Sequence, residues 1–266
     1  MNSKLQRLQR RLSELGTVAI GFSGGVDSTF LVKIARDILG SRVIAITVDT
    51  LFLPRGELDE ARNLARMLQV RHHIITLDIE QYPDVVKNDK DRCYYCKQQM
   101  YRMILQVAHQ QGIDVVLDAS NVDDLKDYRP GWKALQDLGI ISPLVEMQVT
   151  KQEIRRLSQK FHLPTSEKPA NACLASRIPY GRSLSKDAIT MVEKAEEVIR
   201  SHGIKGPIRV RYHETVARIE VMNTELQRVL DHAEDIVKRF KDLGFTFVTL
   251  DMEGYRTGSL NEGLQP

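Results

Sequence analysis

Short apolar runs alternate along the first half of the chain with longer stretches whose apolar residues recur at helical spacing. Val18-Ala19-Ile20-Gly21-Phe22, Arg42 to Asp49, His73 to Asp78 and Asp114 to Asp118 are strand-length runs. Apolar residues at successive positions predict strands buried on both faces, as in a parallel sheet. Between them, helical spacing follows Thr29, runs from Pro54 to about Leu68, and again from about Lys97 to Gln110. Leucines among arginines from Leu5 to Leu15 predict an amphipathic lead-in helix. This alternation predicts an α/β fold with a doubly wound parallel sheet, whose ligands gather at the carboxyl ends of the strands.

Further on the pattern loosens. Ile140 to Leu144 reads as a short strand, and Thr150-Lys151-Gln152-Glu153 has capping-box spacing that opens a helix to about Phe161. Leu163 to Ser183 is irregular. A helix from about Ser185 then ends at Gly203, and two β-rich runs, Ile208 to His213 and Val216 to Val221, predict an antiparallel hairpin. A long helix over Thr224 to Leu243 and a strand over Phe245 to Leu250 close the chain. The expected division is therefore residues 1–183 as the sheet domain and 184–266 as a smaller C-terminal α+β domain.

Composition narrows the class. With 266 residues the chain can bury a real core, and its net charge of +3 is too small to argue for nucleic acid. Three cysteines exclude a disulfide scaffold and suggest a reducing compartment. No apolar run reaches membrane-spanning length and the polar N-terminus is not a secretory signal, so the expectation is cytoplasmic, without membrane or nucleic acid as partner.

The chemistry is concentrated in Ser23-Gly24-Gly25-Val26-Asp27-Ser28, between the first strand and a helix. A glycine turn at a helix N-terminus presents backbone N–H groups and a partial positive charge to an oxyanion. Ser23 and Ser28 add hydroxyls, and Gly24 and Gly25 permit close approach. The Gly-Lys-Ser/Thr ending of the kinase-type loop and the dinucleotide fingerprint are both absent. Asp27 would repel bare phosphate, so Mg2+ is its natural partner. Asp49 and Asp118 end strands at the same sheet edge, although strand-end turns use aspartate too.

Cys93 and Cys96 are spaced to grip one metal or cluster, and Cys173 falls in the irregular stretch. Three alternatives stand: unrelated thiols, a zinc site lacking an evident fourth ligand, or an iron–sulfur cluster on three cysteines with one iron open.

The turn resembles the signature of the PP-loop ATP pyrophosphatases. Three further blocks resemble the LarE-like sulfur transferases of that superfamily: Ser120 to Gly131, Ala172 to Gly181 around Cys173, and Gly254 to Ser259. That resemblance implies the adenine nucleotide alpha-hydrolase-like fold and ATP bound by Ser23, Gly24, Gly25, Asp27, Ser28, Asp49 and Asn121. It implies ATP-dependent adenylation of a carboxylate of pyridinium biscarboxylic acid mononucleotide, releasing pyrophosphate. The product is a thioacid, on the route to the nickel-pincer nucleotide of lactate racemase. Cys173, Asp27 and Arg177 would be catalytic, Arg177 either aiding the adenylate or fixing the cysteine loop. Arg209, Arg211 and Arg256 would hold the substrate phosphate, with Glu197 and Glu220 holding a metal or ordering the arginines. Trp132 suits either a lid over the ligand or core packing. Single-cysteine members sacrifice the sulfur of the residue matching Cys173. Cys93 and Cys96 liken this chain instead to three-cysteine members, whose 4Fe-4S cluster passes on a sulfide drawn from sulfide or a donor. A hexameric homo-oligomer is implied as well. An amide-forming ATP pyrophosphatase and a tRNA thiolase of the same superfamily are the competing readings.

Overall fold

The computed structural model describes residues 3–126, 130–169, 172–256 and 258–260. Asp127, Tyr128, Arg129 and Thr257 of the resemblance motifs lie outside the described residues. In chain order the elements begin α1 (Ser3–Leu15), β1 (Val18–Gly21), α2 (Val26–Leu39), β2 (Val43–Asp49), α3 (Arg55–Met67) and β3 (Arg71–Thr76). There follow α4 (Pro83–Val86), α5 (Arg92–Gln110), β4 (Val115–Leu117), α6 (Pro130–Asp137), α7 (Pro143–Glu146) and α8 (Lys151–Lys160). The chain continues with α9 (Lys186–Ser201), β5 (Arg209–His213), β6 (Val216–Glu220), α10 (Leu226–Asp231), α11 (Ala233–Asp242) and β7 (Phe247–Leu250).

Two compact units result. The first comprises 1–79 and 91–170, the second 80–90 and 171–266. The sequence places the division after residue 183. In the structure, residues 171–183 belong with the second unit, together with the excursion 80–90. Hydrogen bonds explain this. Asn88 is fully buried, and its side-chain amide donates to the carbonyls of Pro179 and Arg182, at 2.8 Å each. The Gly181 N–H donates to the Asn88 carbonyl, and that of Leu184 to Val86.

In the first unit β3-β2-β1-β4 form one parallel sheet. Val18, Ala19 and Ile20 are fully buried in sequence, so both faces of the sheet are covered. On one face Val18, Ile20, Val43 and Ala45 pack with Leu8 and Leu12 of α1, Phe30 and Ile34 of α2, and Ile154 of α8. Fully burying each such side chain contributes about 1.5–3 kcal/mol. Thr150 and Glu153 complete the capping box of α8.

Three elements differ from expectation. Ile141 forms only an isolated parallel bridge to Leu117, because Pro143 begins the short helix α7. The helix expected from Lys97 starts at Arg92, so Cys93 and Cys96 lie in its first turns. The long C-terminal helix is broken at His232 into α10 and α11, after a 3-10 turn at Asn223–Glu225.

In the second unit β5 pairs antiparallel with β6, and β6 parallel with β7. Val210, Ala217 and Ile219 pack under Val198 and Ile199 of α9 and Ile236 and Phe240 of α11. By strand alternation Arg209, Arg211, Arg218 and Glu220 lie on the opposite face of that sheet. Among the described residues no helix is long and apolar enough to cross a membrane.

Candidate active site

The first candidate site is the turn between β1 and α2. Gly24 has φ of 68°, and a Cβ there would stand 3.2 Å from the Cα of Ala61. The left-handed backbone and the approach of α3 both require glycine. The Ser23 and Ser28 hydroxyls lie 3.2 Å apart, and Ser23 Oγ accepts from the Gly25 N–H. Gly25 caps α2 without a side-chain bond, so the amides of the first helical turn face the turn unfilled by a capping side chain. Asp27, in that first turn, is held by Lys151, whose Nζ donates to Oδ2 at 2.6 Å. Burial pushes the Asp27 carboxyl above the ordinary carboxylate value, and Lys151 offsets that only in part. Asp27 Oδ1 is buried and has no hydrogen-bond partner among the described residues. An inward-facing carboxylate oxygen of this kind is a donor that fits Mg2+.

The strand ends supply further charges. Asp49 pairs with Arg55 at 2.8 Å. Asp118 is buried and accepts from Lys97, Tyr101, Ser142 and the Ser120 N–H. Burial pushes its carboxyl up, but Lys97 and these hydrogen bonds prevail and hold it below the usual range. Asn121 is buried, donating to Asp124 and accepting from the Asp123 N–H. Its side chain shapes this turn, where the sequence expects a nucleotide ligand. Lys168 donates to the Gly24 carbonyl at 3.2 Å and to Glu57 and Glu60. Lys151 and Lys168 carry no local signal: each meets the turn across a separation of more than a hundred residues.

Cys93 and Cys96, three residues apart in α5, share one helical face. The guanidinium of Arg92 stands 4.0 Å from Cys93 Sγ. Gly131 of α6 lies against this turn, where a Cβ would come 3.4 Å from the Cys93 carbonyl oxygen. Trp132 is half-buried on α6. Two thiols on one face fit two ligands of one metal or cluster. Among the described residues no group of three or more His, Cys, Asp or Glu side chains is gathered as a metal site.

The second unit carries Cys173 and the arginines. Cys173 is exposed and opens a 3-10 turn, Leu174–Arg177. Arg177, expected among catalytic residues, is 2% exposed and gripped by Glu196 at 2.7 and 3.0 Å. It donates to the carbonyls of Ala172 and Cys173, so it fixes the cysteine loop. Ordering was also expected of Glu197, but that side chain is exposed and its neighbour Glu196 does the work. The two lie about 100° apart around α9. Glu220 is buried among the arginines of this sheet. Arg211 binds it through two nitrogens, and Arg218 reaches it at 3.1 Å. Arg211 also donates to the Ser176 carbonyl and to Ser259. Arg209 is buried, with its guanidinium 5.4 Å from the Tyr255 ring. Burial, then the charge of Arg177, pushes the Arg209 pKa down to about 10. Arg256 is 30% exposed and pairs with Glu253.

Residues 1–128 match the model of the PP-loop domain family. The chain is 35% identical over 263 residues to the pyridinium-3,5-bisthiocarboxylic acid mononucleotide synthase of Lactiplantibacillus plantarum, covering 98% of this chain and 95% of that protein. It is 38% identical to an uncharacterised protein of Synechocystis over 99% of both chains. An argininosuccinate synthase of Haloarcula marismortui is 30% identical over 56% of this chain and 38% of its own length.

Proposed function

The chain belongs to the LarE-like family of PP-loop sulfur transferases, ATP-using enzymes that transfer sulfur, and on that footing we propose that it makes a thioacid from a carboxylate of pyridinium-3,5-biscarboxylic acid mononucleotide, in nickel-pincer cofactor synthesis. The observation that carries this reading is relatedness over 98% of the chain, which runs through both units and not the phosphate turn alone. Similarity to the argininosuccinate synthase reaches only about half of the chain, so that protein's reaction is the weaker reading.

A carboxylate is a poor electrophile until its oxygen becomes a good leaving group. In the proposed reaction the substrate carboxylate attacks the α-phosphate of ATP, giving an acyl-adenylate and pyrophosphate. The Gly25 amide, the Ser23 and Ser28 hydroxyls and the α2 N-terminus hold the triphosphate. Asp27 would hold Mg2+, which neutralises charge on the departing pyrophosphate. Arg209 and Arg256 take the substrate phosphate, and Arg211, whose guanidinium is held by Glu220, adds positive charge beside it. Support comes from the field at Arg209: its pKa is lowered by burial and by Arg177, so an anion there is welcome.

Cys93, Cys96 and Cys173 hold a 4Fe-4S cluster in this reading, and when bound it supplies an open iron that carries sulfide. Arg177 keeps the Cys173 backbone in place. The exposure of Cys173 also suits the sacrificial route, in which its own thiolate attacks the adenylate. Anaerobic purification, iron counting and intact-mass spectra after reaction separate the two. Bound iron, repeated turnover with sulfide and an unchanged chain mass are expected. Iron-free protein that loses the mass of hydrogen sulfide at Cys173 after one turnover contradicts the cluster.

A further inference from the structure

The kinase-type phosphate loop carries its own lysine, and this turn has none. Four negative charges on ATP therefore meet a turn whose one ionisable side chain is Asp27. Lys151 changes that balance. It is the first residue of α8, where its backbone N–H donates to Asp123 at 2.8 Å. Its side chain extends to Asp27, inside the phosphate turn. Among the described residues Asp27 Oδ2 is the one acceptor of its ammonium, which has three N–H donors. Lys168 is different: its side chain is 11% exposed and its ammonium is spread over Glu57, Glu60 and the Gly24 carbonyl, so its donors are spent on the scaffold. Lys151 is 31% exposed, at the mouth of the turn, with donors left over.

The geometry points to Lys151 as a further ATP-phosphate ligand of this site, taking the place of the absent loop lysine. It rests on the reading above only in that the turn binds ATP. Lys151 holds the Asp27 carboxylate through one of its three donors. A divalent cation held by Asp27 would neutralise that carboxylate, and the Lys151 ammonium would then be available to the phosphate oxygens beside it. The two cations thus exchange partners, and neither charge is left buried alone.

The test is calorimetric binding of the non-cleavable analogue α,β-methylene-ATP to the full chain with Mg2+, with AMP as a second ligand. Losing a charge-assisted hydrogen bond corresponds to about tenfold to a hundredfold in affinity. Lys151→Met and Lys151→Gln are both expected to lose that much for the analogue and to keep AMP affinity. Lys151→Arg is expected to retain most of both. Equal analogue affinity in wild type and either neutral variant would overturn the inference. A parallel loss of AMP would also overturn it, because Lys151 would then only support the shape of the turn. If one neutral variant fails to fold, the other and Lys151→Arg carry the comparison. A wild-type chain that fails to bind the analogue at all would instead overturn ATP use, which separates the two failures.

Discussion

Arg177 spends its donors inside the protein, on Glu196 and on the two carbonyls beside the cysteine thiol. Arg177→Ala leaves the Glu196 carboxylate buried and short of its main counter-charge. Breaking a buried pair from one side costs about 3–5 kcal/mol. Urea unfolding of this variant should show a loss of that size, and unchanged stability would mean the loop is held otherwise. Glu196 was within reach of sequence reasoning. It lies four residues after Val192 and three before Ile199, on the buried stripe of α9, whereas Glu197 is off it. His72 was not. Its Nε2 lies 2.8 Å from the Thr47 hydroxyl, which donates to the carbonyl of Phe22 just before the phosphate turn. Burial, with the nearby charges of His73 and Arg62, pushes its pKa down from 6.5 to about 4. The unfolded chain takes the proton first, so stability present above pH 6.5 falls as pH drops towards about 4. His72→Gln should flatten that part of the stability–pH curve, and an unaltered slope would place the titration elsewhere.

At the scale of elements, the strands and the phosphate turn were legible because apolar runs and glycine positions are local signals. The start of α5 was not. Cys93-Tyr94-Tyr95-Cys96 has weak helix propensity, and the helix there is supported by α6 packed close through Gly131. The break at His232 was equally hidden, since apolar spacing continues across it. Ile141 failed as a strand because only one bridge forms before Pro143 turns the chain. The turn itself offers a sharp test. Gly24→Ala puts a Cβ against Ala61 in a left-handed conformation, which costs about 1–2 kcal/mol in backbone strain alone. The expected result is a loss of ATP affinity of about tenfold or more, with the second unit unfolding as before. Full ATP affinity in that variant would show that the turn tolerates a different shape.

At the scale of the molecule, the sequence conveyed two compact parts but not their boundary. Residues 171–183 lack periodicity, and the bond from Asn88 that ties this region to 80–90 spans about ninety residues of chain. No local pattern records such a contact. The functional reading joins what each part contributes: ATP at a glycine turn in the first unit, and a cysteine beside an arginine-bearing sheet in the second. The most direct measurement is mass spectrometry of the small molecules after anaerobic incubation with the biscarboxylic mononucleotide, ATP, Mg2+ and sulfide. The account predicts a mononucleotide in which sulfur has replaced one carboxylate oxygen, with AMP and pyrophosphate formed alongside. Unchanged mononucleotide with ATP converted to ADP would contradict it.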